Sequence, residues 1–65
     1  MKWTDIEIPS EAVGTISAAH SSCCRYCIKR RGQYKYVLFV DGVAESSSET
    51  LEQAKAEAER IKKAA

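Results

Sequence analysis

The chain has 65 residues, 45% of them hydrophobic and 29% charged, an ordinary globular composition rather than a disordered one. Ten Lys and Arg stand against nine Asp and Glu, which excludes a histone-like polycation. One domain over residues 1–65 is expected, with a small core, because a domain near this size buries only about 60% of its unfolded surface.

In chain order, Trp3–Ile8 reads as a first strand stopped by Pro9, and Val13–Ala19 as a second. A secretory leader is not expected, since Asp5, Glu7 and Glu11 interrupt what would be its apolar region. Cys23–Lys29 is predicted as a third strand, turned at Arg31-Gly32. Tyr34–Val40 follows, rich in aromatic and β-branched residues, and its run Tyr36–Val40 is far too short to cross a membrane. Asp41-Gly42 between Val40 and Val43 is a strong hairpin signal, with Val43–Ser47 as the return strand. Ser46-Ser47-Ser48 reads as a linker to the helix.

The helix itself is the clearest element. Thr50 with Gln53 three residues on matches a capping box, in which hydroxyl and amide exchange hydrogen bonds with orphan N–H groups. Leu51, Ala54, Ala58, Ile61 and Ala65 then fall on one helical face. Glu52, Lys55, Glu59, Lys62 and Lys63 fall off it, with Glu59 and Lys63 in the favourable i,i+4 order. The fold class expected is α+β: a three- to five-stranded antiparallel β-meander packed on one C-terminal α-helix.

Pairing register decides which side chains meet that helix. An even loop around Gly32 sets Cys27 opposite Tyr36 and Arg25 opposite Leu38. One face then carries Cys24, Tyr26, Ile28, Val37, Phe39 and Ala44, which suits the Leu51/Ile61 stripe. The other carries Arg25, Lys29, Tyr34, Tyr36, Leu38, Val40 and Val43, as a binding face would. An odd loop exchanges these assignments.

Residues 25–35 hold five bases and no acid: Arg25, Lys29, Arg30, Arg31 and Lys35, interleaved with Tyr26 and Tyr34 and followed by Tyr36. Residues 41–59 hold six acids against Lys55 alone. The functional reading of the first run is a phosphate-tracking patch with stacking platforms. Its plainer reading is a solvated hairpin tip whose bases protect a sheet edge. Glu52 and Glu59 are the matching candidates on an acidic helix surface.

His20, Cys23, Cys24 and Cys27 include zinc-type ligands, but no second ligand pair exists. If Cys23–Lys29 is a strand, Cys24 and Cys27 point to opposite faces, so no metal and no cofactor is expected. The odd cysteine count argues against a disulfide framework and for reduced thiols in the cytoplasm. A His20–Cys23 nucleophile pair lacks a nameable orienting group, so the chain reads as not an enzyme. Trp3 reads as a core cap, with an exposed anchor as the alternative.

The stretch YKYVLFVDGVAESSSETLEQAKAEAE, Tyr34 to Glu59, resembles small phage- and prophage-encoded proteins. Those carry an aromatic strand, a DG hairpin, a short strand and S/T-L-E-x-A-K at a helix start. The resemblance implies a ββα-type fold and a mobile-element origin, hence action in a host cell cytoplasm. Many such proteins are non-enzymatic inhibitors, anti-CRISPR proteins among them. The leading expectation is therefore a binding protein that occupies a surface of a larger partner, a nucleic-acid-handling complex being one such partner. Direct nucleic-acid binding by the basic hairpin is the alternative, and a monomer or weak dimer away from membranes is expected in both.

Overall fold

A computed structural model describes residues 2–8, 14–32 and 34–64. Strands β1 (Trp3–Asp5), β2 (Ile16–Ser21), β3 (Tyr26–Gly32), β4 (Lys35–Val40) and β5 (Val43–Ser48) precede helix α1 (Leu51–Ala64). Each strand pairs antiparallel with the next, giving a five-stranded meander in sequence order among the described residues. The α+β expectation holds at its upper strand count. Pro9, Val13 and Ala65, which entered the predicted element ends and helix face, lie outside the described residues.

Local signals account for the C-terminal half. Asp41 and Gly42 both take positive φ, 52° and 84°, in a two-residue loop that pairs Val40 with Val43. At the helix start the Gln53 N–H donates to Thr50 Oγ1 (3.1 Å). The return bond differs from the expected box: Gln53 Oε1 accepts from the N–H of Glu49 (3.2 Å), one residue ahead of the cap. Ser46, Ser47 and Ser48 are not a linker but the second half of β5, opposite Leu38, Val37 and Tyr36. The strand therefore runs almost directly into the helix cap.

The third strand starts later than predicted. Ser21 Oγ accepts the Tyr26 N–H (3.2 Å), and the Ser21 carbonyl accepts the Cys24 N–H (2.9 Å). These local bonds compete with the ladder and hold Cys23, Cys24 and Arg25 in a turn, with Cys24 at φ 59°. Across the next turn Tyr26 pairs with Val40, Ile28 with Leu38 and Arg30 with Tyr36, and the register shifts between Arg30 and Gly32.

That register corrects the expected faces. Tyr26 and Ile28 do lie under the helix, but Tyr36, Leu38 and Val40 join them there, and Val37 and Phe39 turn to the opposite side. Ile28 and Leu38 are fully buried beneath Ala54 and Ala58, with Ala18 and Tyr26 completing the core. Methyl side chains on α1 let the helix lie close to the sheet. Trp3, Leu51 and Ile61 pack around the margin, so Trp3 is a core cap. Lys55 also reaches β1, its Nζ 2.8 Å from Asp5 Oδ1. Among the described residues no helix is long and apolar enough to cross a membrane.

Candidate functional site

One face of the sheet is covered by α1 and the other by no element among the described residues. The alternation of β3 and β4 sends Cys27, Lys29 and Arg31 to the open side with Lys35, Val37 and Phe39. Beside them lies a shallow cavity of about 290 Å³ lined by Arg31, Lys35, Val37, Glu45 and Ser47. Lys29 Nζ sits 5.0 Å from the centroid of the Phe39 ring, a cation–π contact across neighbouring strands. Phe39 is half-buried although no helix covers it.

The basic run is thus divided by the pleat. Lys29, Arg31 and Lys35 belong to the open face, whereas Arg30 is half-buried opposite Tyr36 on the helix side. Tyr36 packs against the core and Tyr26 is inside it, so neither serves as the stacking platform read from the sequence. Tyr34, 74% exposed at the hairpin turn, does stand free to stack. Arg25 sits in the turn before β3, where its Nε donates to Asp41 Oδ2 (3.1 Å). That bond and the Asp41 charge raise the guanidinium pKa further and neutralise the site.

The helix is less acidic than residues 41–59 suggest. From residue 49 to 63, Glu49, Glu52, Glu57 and Glu59 are matched by Lys55, Arg60, Lys62 and Lys63, four against four. Arg60 hydrogen-bonds Glu57, and the contact holds the Glu57 carboxyl below its ordinary range. Glu52 is exposed and Glu59 half-buried. Among the described residues Lys29, Arg31 and Lys35 make no ion pair, while Arg25, Lys55 and Arg60 do.

Cys24 and Cys27 border the other end of the open face, whereas Cys23 turns to Ser21. Cys23, Cys24 and Cys27 are all free. Cys23 Sγ lies 3.2 Å from Ser21 Oγ, and this hydroxyl, with the Arg25 backbone N–H, holds the thiol below its ordinary pKa. No group of three or more His, Cys, Asp or Glu side chains is set to hold a metal ion among the described residues. Comparison with protein-family models, curated proteins and solved structures returns no match for this chain.

Proposed function

We propose that the chain is a non-enzymatic binding protein that lays its open sheet face on an acidic surface of a larger partner. The observation that carries this reading is that three cations cluster without an ion pair, Lys29, Arg31 and Lys35, on the face that no helix covers. Of the other cations, Arg25, Lys55 and Arg60 are met by the chain's own acids, and Arg30, Lys62 and Lys63 lie on the helix side or in the last turn of α1. Fixed unpaired charge on a rigid sheet steers an oppositely charged partner and sets its orientation. An inhibitor that blocks a host or rival nucleic-acid-handling complex, anti-CRISPR proteins being one such kind, fits this mode of action. The test is capture of a partner by tagged wild-type protein, with partner identity read by mass spectrometry. The triple variant K29E/R31E/K35E should lose the captured protein while keeping its circular-dichroism melt, and E52Q should retain it. Capture that survives the triple reversal would remove the open face from the interaction.

A second reading rests on Tyr34, whose exposed ring adjoins Lys35 at the hairpin tip. An aromatic platform beside cations suits single-stranded nucleic acid. Fluorescence anisotropy with single-stranded DNA and RNA separates the two: steeply salt-dependent binding lost in Y34A supports nucleic acid. Absence of binding at low salt leaves the protein partner.

A further inference from the structure

A second cavity on the open face, about 270 Å³, is lined by His20, Cys24 and Cys27, with Ile6 and Lys29 also contributing. In a continuous strand an i,i+3 pair of cysteines faces opposite ways. Here Cys24 leaves the ladder at φ 59° and β3 begins only at Tyr26, so both cysteines border the same space. We propose that this cavity binds a soft monovalent metal ion, Cu(I), held between the thiolates of Cys24 and Cys27.

The chemistry follows from the donors and their surroundings. Thiolates are soft ligands that select Cu(I), whereas a structural zinc needs four donors. Two-thiolate ligation asks for no third side chain, which agrees with the lack of any three-donor group among the described residues. Binding breaks two S–H bonds and forms two Cu–S bonds, and no electron is transferred. The product carries one net negative charge, and Lys29 lines the same cavity to offset it. His20 stands directly across from Cys27 as its cross-strand partner. Its Nδ1 lies 3.3 Å from the Ser21 carbonyl oxygen, which can only accept, so Nδ1 donates there. Solvent takes up the two released protons, and His20 lines the cavity without serving as a ligand. Cys23 does not line this cavity; its thiol is engaged with Ser21.

The test is anaerobic titration of the reduced full-length chain with Cu(I) against a coloured Cu(I) chelator, followed by X-ray absorption at the copper edge. One ion per chain with two sulfur neighbours is expected. Cys24→Ser and Cys27→Ser should each weaken binding by at least about 100-fold, the upper end of what outer-shell changes cost. Cys23→Ser should leave the affinity unchanged. Cys24 is exposed, so its variant keeps the fold, checked by circular dichroism, and is sufficient to decide. A chelator that retains all the copper, or a Cys23→Ser loss as large as that of Cys24→Ser, would overturn the assignment.

Discussion

Ser21 shows how one hydroxyl settles a stretch of chain. It is fully buried, accepts the Tyr26 N–H that opens β3, and lies against Cys23. Ser21→Ala orphans that buried N–H and should cost roughly 1–3 kcal/mol in a urea melt. The same change removes the contact that favours the Cys23 thiolate. In the wild type the lowered thiol pKa moves the onset of alkylation to lower pH. In the variant the onset should return upward, read by iodoacetamide labelling and peptide mass spectrometry across pH; an unmoved profile would show that Ser21 does not act on the thiolate. Gly42 makes the parallel point for the backbone. At φ 84° an added Cβ is strained although nothing lies within 4 Å, so Gly42→Ala should cost roughly 1–2 kcal/mol. Gly32→Ala meets equally open space without that φ and should be close to neutral in the same melt.

Among the elements, α1 divides its work between contact and closeness. Leu51 and Ile61 are the large residues of the helical stripe, yet both are half-buried at the core margin, and the fully buried positions are Ala54 and Ala58. Leu51→Ala and Ile61→Ala should therefore cost about 1–2 kcal/mol each, under the roughly 2–5 kcal/mol of a fully buried site. Ala58→Leu should cost about 1–3 kcal/mol by forcing the helix off Ile28 and Leu38. Chemical denaturation of the three variants checks the order, and a harmless Ala58→Leu would mean the helix is not seated there. The helix cap and the Asp41-Gly42 turn were legible because each is written in adjacent residues whose chemistry permits little else. The faces of β4 were not: Tyr36, Leu38 and Val40 alternate with Val37 and Phe39, so both sides read apolar and hydrophobicity cannot choose between them. The choice falls to the end of β3, where the register shifts between Arg30 and Gly32. The basic run was visible as composition, but its division between two faces depends on that same register.

At the scale of the molecule, charge is sorted by neutralisation rather than by sequence block. The helix surface balances, the Arg25–Asp41 pair closes one end, and Asp5–Lys55 joins β1 to α1. The open face is left with three bases against Glu45. If an acidic partner docks there, its association rate should fall steeply between low and physiological salt while dissociation changes little, measured by surface plasmon resonance. A rate insensitive to salt would argue for an apolar contact instead. The strict strand order carries a consequence of another kind, for how the chain reaches this state. Every strand docks on the one made just before it and only α1 has to close over distant segments, so refolding should be rapid and single-exponential in stopped-flow fluorescence of Trp3. The cover arrives last. Until residues 51–64 emerge from the ribosome, a nascent sheet shows Tyr26, Ile28 and Leu38 to water, an oily surface open to any neighbour. A chain ended at Thr50 should accordingly self-associate in analytical ultracentrifugation, and addition of a synthetic peptide of residues 51–64 should disperse it.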